Sequence, residues 1–325
     1  MRQVVCSEFG PPERLELLEA PDLEPAPDEV VIAVEAAGVN FVDALIVQGR
    51  YQLKAPLPFT PGSEVAGRVS AAGADVRGVA PGDRVLALPP LGGYASEVVV
   101  PAASVIPIPG DLSAGQAAGL VQSYGTMLYA LTKRTTVTPD EWVAVLGAGG
   151  GIGLAAVDLA VAMGAKVVAC ASSEDKLDLA RAVGATATIN YDDDEVDLKT
   201  AIRTVTGGGA HLVVDPVGGD KAEPALRAIR WGGRYLVLGF AAGSIPALPM
   251  NQVLLNSRSL IGIEWGAWAT RDPDGNAAML QDLLGMAAGG QIHPVEPAAR
   301  PLAEAAAVLD DLEHRRIAGK VVLVP

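Results

Sequence analysis

The fold of this chain is decided by the stretch Val143-Ala144-Val145-Leu146-Gly147-Ala148-Gly149-Gly150-Gly151-Ile152-Gly153. A run of apolar residues leads into a glycine-rich turn, and an Ala- and Leu-rich run follows at once. Glycines in such a turn let backbone N–H groups approach a pyrophosphate, and the dipole of the next helix favours its negative charge. Ala148 breaks the strict Gly-x-Gly-x-x-Gly spacing, which leaves a merely structural turn as the alternative. The order of strand, turn and helix predicts a dinucleotide site at Gly149–Gly153.

Around this turn, from residue 121 to residue 263, strand-like apolar runs alternate with helical runs. This alternation predicts an α/β domain with a parallel, doubly wound Rossmann sheet that has helices on both faces. The predicted strands, which match a complete dinucleotide-binding sheet in number, are Trp142–Leu146, Lys166–Cys170, Ala187–Ile189, Leu212–Asp215, Arg234–Gly239 and Leu260–Ile263. The predicted helices include Ile152–Met163 and Lys176–Val183, and the acidic run Asp192–Glu195 is interpreted as a solvated helix start.

The residues on either side of this region have a different texture. In residues 1–120, short apolar runs are broken by Gly, Pro and Asp, which predicts a β-rich, partly closed barrel. The strands predicted there are Glu29–Gly38, Glu64–Gly73, Asp83–Leu88 and Tyr94–Val100. Residues 264–325 contain a predicted loop with Trp265 and Trp268, helices at Ala277–Ala288 and Leu302–Arg315, and a strand Lys320–Val324. We expect residues 264–325 to return to the barrel, which would make the barrel domain discontinuous.

Charge and composition narrow the function classes. The chain has 24 basic and 38 acidic side chains, and a net charge of −14 opposes binding to nucleic acid or to an anionic membrane. The N-terminus has no apolar signal-like run and no transmembrane-like segment is present, so we expect a soluble, cytoplasmic protein. Two cysteines and three histidines are scattered along the sequence, and they cannot supply a zinc site with three protein ligands. The sequence therefore predicts a metal-free protein.

The choice of nicotinamide cofactor depends on the end of the second predicted strand. NAD sites usually place an acidic residue there to bind the ribose 2′-OH. This chain instead has Ser172 and Ser173, followed by Lys176, which favours the 2′-phosphate of NADPH over NADH. The alternative is that Ser173 only caps a helix, with Glu174 and Asp175 in its first turn. Without a metal, hydride donation favours acceptors that carry their own electron sink, such as quinones and α,β-unsaturated carbonyls.

Several further motifs occur in a fixed order along nearly the whole chain. They are Gly38-Val39-Asn40-Phe41-Val42-Asp43, Gly49-Arg50-Tyr51, Pro58-Phe59-Thr60-Pro61-Gly62-Ser63-Glu64-Val65-Ala66-Gly67, Pro81-Gly82-Asp83-Arg84-Val85, Gly92-Gly93-Tyr94-Ala95 and Gly319-Lys320-Val321-Val322-Leu323. Together they resemble the zinc-independent quinone oxidoreductase (zeta-crystallin-like) branch of the medium-chain dehydrogenase/reductase superfamily. Where zinc-binding relatives carry a cysteine and a histidine ligand, this chain has Asn40 and Ser63.

The resemblance implies a GroES-like catalytic domain, a Rossmann domain, and a homodimer formed through the strand Leu260–Ile263. It also implies the cofactor-binding residues. The residues implied near the nicotinamide end are Asn40, Tyr51 and Thr126, and those implied at the pyrophosphate are Gly149, Gly150, Gly151, Ile152 and Gly153. The residues implied at the adenosine phosphate are Ser172, Ser173, Lys176 and Tyr191. The residues implied elsewhere along the cofactor are Gly239, Phe240, Arg315 and Lys320.

Plainer interpretations stay open for some of these residues. Asn40 would then be a turn-stabilising side chain, and Tyr51 a half-packed surface residue instead of a proton donor. Trp265 and Trp268 are assigned to a substrate wall, with simple core packing as the alternative. Compensation of a helix dipole alone would explain Arg315.

The predicted function is direct hydride transfer from NADPH to a quinone, with Asn40 and Tyr51 as the catalytic residues that orient the acceptor. One alternative is an enoyl-thioester or enone (2-alkenal) reductase of the same superfamily. Another is a non-catalytic NADPH-binding protein with a structural or regulatory role.

Overall fold

The computed structural model describes residues 1–52 and 54–325, and the chain divides into two units. The first unit comprises Met1–Gln122 and Val295–Pro325, and the second comprises Ser123–Pro294. The strands are, in chain order, β1 (Arg2–Val5), β2 (Glu16–Glu19), β3 (Glu29–Gly38), β4 (Val65–Ala72), β5 (Arg84–Ala87), β6 (Glu97–Pro101), β7 (Val105–Pro107), β8 (Trp142–Leu146), β9 (Lys166–Ala171), β10 (Ala187–Asn190), β11 (Ala210–Asp215), β12 (Ile229–Val237), β13 (Ser259–Gly262), β14 (Ala298–Pro301) and β15 (Val321–Val324).

The α-helices are α1 (Phe41–Val47), α2 (Ala114–Leu120), α3 (Thr126–Tyr129), α4 (Gly151–Ala162), α5 (Glu174–Ala182), α6 (Leu198–Val205), α7 (Ala222–Arg227), α8 (Met250–Leu254), α9 (Trp265–Arg271), α10 (Pro273–Ala288) and α11 (Ala305–Glu313). Two π-helical segments, Val121–Gly125 and Ala130–Arg134, flank α3. Within the described residues, no helix has the length and apolar character needed to cross a bilayer.

The second unit is built on a parallel sheet with the strand order β10-β9-β8-β11-β12-β13. This order confirms the predicted doubly wound sheet, because the chain runs outward in both directions from β8. Residues Val143–Leu146 of β8 are fully buried on both faces, as expected for a strand covered by helices on each side. Ligands of such folds bind beyond the carboxyl ends of the strands, where the strand order reverses between β8 and β11.

The first unit contains a largely antiparallel sheet with the order β14-β15-β3-β4-β5-β7, and β6 pairs with β3. The ten-residue strand β3 is central to it, since it pairs with β4, β6 and β15. Val30 and Ile32 of β3 are fully buried in the core of this unit. In the β3–β15 pairing Val322 lies opposite Gly38, which brings the C-terminal strand beside the start of α1.

Several predicted elements differ from the structure. The acidic run Asp192–Glu195 forms a turn, and α6 begins only at Leu198, where the Asp197 carboxylate accepts a hydrogen bond from the backbone of Thr200 at 2.9 Å. The loop predicted around Trp265 and Trp268 is helix α9, because Glu264 caps it through the backbone N–H of Ala267 at 2.6 Å.

The unit boundary also differs from the predicted one. The second unit ends at Pro294, so residues 264–294 belong to it, whereas the sequence analysis assigned them to the catalytic domain. Packing accounts for the difference. Leu283 and Leu284 of α10 are buried, and the Trp265 ring and Leu280 lie so close to Gly125 that a Cβ there would be 3.1 Å and 3.5 Å from them.

Candidate active site

The glycine-rich turn joins β8 to α4 in the second unit. Gly147 has a φ of +59°, a left-handed conformation that glycine adopts without strain. Helix α4 begins after Gly150, whose backbone is extended, and it has no side-chain cap at its N-terminus. The first N–H groups of α4 therefore rely on another partner, and an anion such as a diphosphate satisfies both these groups and the helix dipole.

Packing requires glycine at two positions of this turn, and a third position has room for a Cβ. A Cβ at Gly153 would lie 2.1 Å from the carbonyl oxygen of Gly147, and a Cβ at Gly149 would lie 2.3 Å from the Cβ of Lys176. At Gly150 the nearest atom to such a Cβ is 3.6 Å away. The turn is thus tightly packed on its protein side and open at Gly150, and these residues fit the diphosphate of a dinucleotide.

The residues predicted to select the phosphate lie at the carboxyl end of β9. The Lys176 ammonium donates to the Ser172 hydroxyl at 3.1 Å, and Ser173 occupies the N-cap position of α5 without a side-chain capping bond. Glu174 pairs with Arg181 at 3.0 Å. Of the two acidic residues in the first turn of α5, Glu174 is therefore neutralised by its own partner.

Tyr191 follows β10 and is buried, with the Lys221 ammonium 5.5 Å from the centre of its ring. The buried position places most of its ring in the core of the second unit. Its predicted role at the adenosine phosphate is untested by these contacts and stays a prediction.

A buried carboxylate that was not predicted from the sequence connects the turn after β11 to strand β12. Asp215 ends β11 and accepts hydrogen bonds from the backbone N–H groups of Val217 at 2.7 Å and Gly218 at 2.8 Å, and from the Tyr235 hydroxyl. Burial raises the pKa of Asp215. A Cβ at Gly218 would lie 2.9 Å from the ring of Phe240, so Phe240 and the preceding Gly239 lie beside the turn that Asp215 shapes.

The predicted residues on α3 and α9 lie in the second unit. Thr126 opens α3 and is half-buried. The Trp265 indole is 8% exposed and donates to Asn276 Oδ1 at 2.8 Å, which supports the core-packing interpretation. The half-buried Trp268 stacks on Tyr129 with ring centres 4.9 Å apart.

A second buried carboxylate, Asp158 on α4, was also missed. It accepts hydrogen bonds from the Tyr124 hydroxyl at 2.8 Å and from the backbone N–H of His293 at 2.6 Å, and burial raises its pKa. The apolar surroundings of Asp158 in the sequence, Ala-Ala-Val-Asp-Leu-Ala, were the available signal for a buried carboxylate.

In the first unit, Asn40 occupies the N-cap position of α1 and meets two charged side chains. The Lys320 ammonium donates to Asn40 Oδ1 at 2.5 Å and to Glu64 Oε2 at 3.3 Å, while Asn40 Nδ2 donates to the same Glu64 oxygen at 3.3 Å. Sequence reasoning selected Asn40 and Lys320 but missed Glu64. The available signal was an acidic residue inside a motif of otherwise small and apolar residues.

A second acidic residue of the first unit, Asp43, lies close to this cluster. Its Oδ2 accepts hydrogen bonds from the backbone N–H of Asn40 at 2.8 Å and from the buried Tyr94 hydroxyl at 2.9 Å. Its Oδ1 is buried and, within the described residues, has no hydrogen-bond partner. Burial raises the pKa of Asp43 to about 6.

The remaining predicted residues of the first unit are more peripheral. Tyr51 is half-buried against the core of its unit, and Arg315 is exposed with a φ of +59° just beyond α11. Ser63 Oγ accepts from the Gln122 side chain at 3.4 Å. In residues 1–52 and 54–325, no three His, Cys, Asp or Glu side chains are grouped so that they would hold a metal ion.

Comparisons with known proteins agree with this architecture. Residues 26–110 match the family described as "Alcohol dehydrogenase GroES-like domain", and residues 151–282 match the family described as "Zinc-binding dehydrogenase". Quinone oxidoreductase-like protein 2 of Rattus norvegicus is 37% identical over 99% of this chain and 91% of its own length. These matches confirm the predicted GroES-like unit.

Two of the similar solved structures each match over the whole chain. The crystal structure of Escherichia coli quinone oxidoreductase complexed with NADPH has a TM-score of 0.88 and 30% identity over 100% of both chains. A crystal structure described as an NAD-dependent alcohol dehydrogenase has a TM-score of 0.89 and 34% identity, again over 100% of both chains.

Proposed function

The chain belongs to the quinone oxidoreductase family of the medium-chain dehydrogenase/reductase superfamily, and from that premise we propose that it is a metal-free, NADPH-dependent reductase of quinones or related conjugated carbonyls. Membership of this family makes it an oxidoreductase. The observation that carries the finer proposal is the contact between Gly149 and Lys176. This contact keeps the glycine-rich turn, which is suited to a diphosphate, next to Lys176, whose ammonium is suited to a 2′-phosphate.

The cofactor half of the proposal assigns one task to each part of this site. The N–H groups at the start of α4 bind the diphosphate, and Gly150 leaves the space that it needs. Ser172 and Lys176 bind the 2′-phosphate of the adenosine ribose, with Ser173 and Tyr191 beside them. Because the carboxyl end of β9 lacks the acidic residue typical of NAD sites, we expect NADPH to bind more tightly than NADH.

The catalytic half concerns the acceptor. Bound NADPH supplies a hydride, and the chain must stabilise the negative charge that the acceptor oxygen gains. The Asn40 amide is an N–H donor suited to that oxygen, and the Tyr51 hydroxyl is suited to give it a proton. Hydrogen bonds to Glu64 and Lys320 hold the Asn40 side chain in place. Its N–H donor is therefore already oriented before the reaction begins.

The substrate class is tested by comparing two acceptors at the same protein and NADPH concentrations. We expect the purified chain, treated with a chelator, to oxidise NADPH with 9,10-phenanthrenequinone faster than with crotonyl-CoA. Turnover of the thioester alone would replace the proposal with an enoyl-thioester reductase. Binding of NADPH without reduction of any quinone or enone would instead favour the non-catalytic alternative.

We also propose a homodimer formed through the edge strand β13. This strand pairs only with β12 within the described residues, so its other edge offers unpaired backbone groups to a second copy. Large exposed apolar side chains lie on β12 and in the segment that joins β12 to β13, namely Trp231, Ile245, Met250, Leu254 and Leu255. Exposed apolar groups on this scale mark an interaction surface. We also propose that the protein is located in the cytoplasm.

A further inference from the structure

We propose that Glu64 and Lys320 are positioning residues that fix the orientation of the Asn40 amide, and that this is the main task of the Lys320 ammonium in place of cofactor binding. The inference rests on the proposed role of Asn40 at the acceptor oxygen and adds two residues to it. It starts from a closed triangle of hydrogen bonds: Lys320 to Asn40 at 2.5 Å, Lys320 to Glu64 at 3.3 Å, and Asn40 to Glu64 at 3.3 Å.

Backbone pairing brings these three residues together although Asn40 and Lys320 are 280 positions apart. Strand β15 lies antiparallel to β3, with Val322 opposite Gly38. One step further along, the backbone N–H of Val39 donates to the carbonyl oxygen of Val321 at 3.0 Å. This register places the residue after Val39 next to the residue before Val321. The meeting of Asn40 with Lys320 is therefore set by the sheet and does not depend on a flexible loop.

Glu64 is held independently of the other two residues. Its backbone carbonyl oxygen accepts from the N–H of Gly38 at 2.8 Å, and its Oε1 accepts from the backbone N–H of Gln122 at 2.8 Å. A Cβ at Gly38 would lie 2.0 Å from the carbonyl oxygen of Ala118 and 2.7 Å from Glu64 Oε2, so glycine at this position leaves room for both groups. With one oxygen bound to the backbone, the other is directed at Asn40 and Lys320.

The Lys320 side chain is similarly confined. A Cβ at Gly119 would be 3.2 Å from Lys320 Cγ and 3.7 Å from its Cε, so the aliphatic stem runs across this glycine. The Lys320 side chain is 10% exposed and that of Glu64 is 1% exposed. A buried charge must be paired, and here each charge is the other's partner. The ammonium is thus committed to groups within its own unit.

The consequence for Asn40 follows from donor and acceptor chemistry. An amide can turn over and exchange its oxygen and nitrogen at little cost when its neighbours both donate and accept. An ammonium can only donate and a carboxylate can only accept. Lys320 therefore requires Asn40 Oδ1 on its side, and Glu64 requires Nδ2 on the other. Only one of the two amide orientations satisfies both charges, and it fixes where the N–H donors lie.

The test uses the variant Glu64→Gln/Lys320→Met, which removes both charges at nearly constant shape and so avoids leaving one buried charge unpaired. The exposed pair Arg300→Met/Glu304→Gln in the same unit is the matched control. The first readout is the side-chain amide signals of Asn40 in protein labelled with ¹⁵N at asparagine. The sequence has five asparagines, and the Asn40→Ala variant assigns the signals of Asn40 by their disappearance. This readout needs neither cofactor nor activity.

In the wild type and the control, we expect Asn40 amide signals that are well dispersed and slow to exchange with solvent. In the test variant they should move toward the values of a free amide and exchange about tenfold faster, the ratio expected for losing one hydrogen bond to a charged group. The variant Glu64→Gln/Lys320→Gln, which keeps polar groups in place, guards against misfolding and should show the same loss. Unchanged Asn40 signals in the folded variants would overturn the inference.

The second readout is a double-mutant cycle, in which the kinetics of quinone reduction are compared for the charge-pair variant with and without Asn40→Ala. We expect the charge-pair variant to lower kcat roughly 10-fold or more and to change the KM for NADPH less than about threefold, since the acceptor end alone is affected. Adding Asn40→Ala to that variant should then cost no more than about twofold, because both changes remove the same interaction. Losses that multiply would show that Glu64 and Lys320 act independently of Asn40. If the wild type reduces no acceptor, the proposed function fails while the amide signals still decide this inference.

Discussion

The substitution Lys176→Ala tests how the chain distinguishes NADPH from NADH. Lys176 has two parts with different tasks: its Cβ packs against Gly149, and its ammonium donates to Ser172. Alanine keeps the Cβ, so the packing of the glycine-rich turn is retained and only the positive charge and its stem are lost. Any effect on NADH binding is therefore expected to be small.

The size of the effect follows from the position of the ammonium. Two unit charges about 4 Å apart interact by about 1 kcal/mol in bulk water and about 4 kcal/mol near a protein surface. Lys176 is half-buried, so the attraction between its ammonium and the 2′-phosphate lies between these two values. About 1 kcal/mol of that attraction is offset, because the ammonium already has a hydrogen bond to Ser172. A net loss of about 1.4 to 2.8 kcal/mol corresponds to a rise of roughly 10- to 100-fold in the Kd for NADPH. The Kd for NADH, which lacks the 2′-phosphate, should change less than about threefold.

The assay is a titration of intrinsic tryptophan fluorescence with each nucleotide at two salt concentrations. Lys166→Ala is the matched control, because Lys166 lies at the opposite end of β9 and pairs with Asp140 in an exposed ion pair. It removes the same charge far from Ser172 and should leave both Kd values nearly unchanged. Equal losses of affinity for NADPH and NADH in Lys176→Ala would refute the phosphate role.

Three further predictions concern the turn, a buried acid and the sheet edge. Gly153→Ala should lower both the melting temperature and the affinity for NADPH, because its Cβ would lie 2.1 Å from the Gly147 carbonyl oxygen. Gly150→Ala should lower the affinity for NADPH with little change in the melting temperature, because a Cβ there has room. The reverse pattern would show that the turn is oriented differently. Burial raises the pKa of Asp43 to about 6, so the folded state binds this proton more tightly than the unfolded state does, and stability is lost as the pH rises through that value. Urea unfolding should therefore show the wild type losing stability relative to Asp43→Asn as the pH rises from about 5 to about 7.5, and a constant difference would contradict the burial argument. Leu254→Glu, at a side chain that is 78% exposed, should convert the dimer to a folded monomer in light-scattering measurements, and an unchanged mass would reject the proposed edge contact.

The sequence predicted elements best where local signals agree. Strands β3 (Glu29–Gly38) and β8 (Trp142–Leu146) have the predicted bounds, because each is an apolar run bounded by residues that break strands. Helix α10 was placed four residues too late, at Ala277, because its start depends on Asp272, whose carboxylate accepts from the Gly275 backbone at 3.0 Å, and on Pro273 at the first helical position. Both signals are present in the sequence, in the segment that was predicted to be a loop.

The candidate site was predicted only in part, for a different reason. Glycine turns and strand ends are local features, so Gly149–Gly153 and Lys176 could be selected from short motifs. The partners of Asn40 depend on the pairing of β3 with β15, and no short-range pattern specifies which residues such a pairing brings together. Glu64 was missed for this reason: it appears as one acidic residue beside a strand until its partners are known.

The central claim is that the N–H groups at the start of α4 hold the diphosphate of a nicotinamide dinucleotide. A calorimetric titration of the chelator-treated, purified chain with NADPH, repeated with NADH, tests it most directly. The account predicts saturable binding of one NADPH per chain, with weaker binding of NADH. If neither nucleotide binds, the claim is contradicted and the proposed function is lost with it.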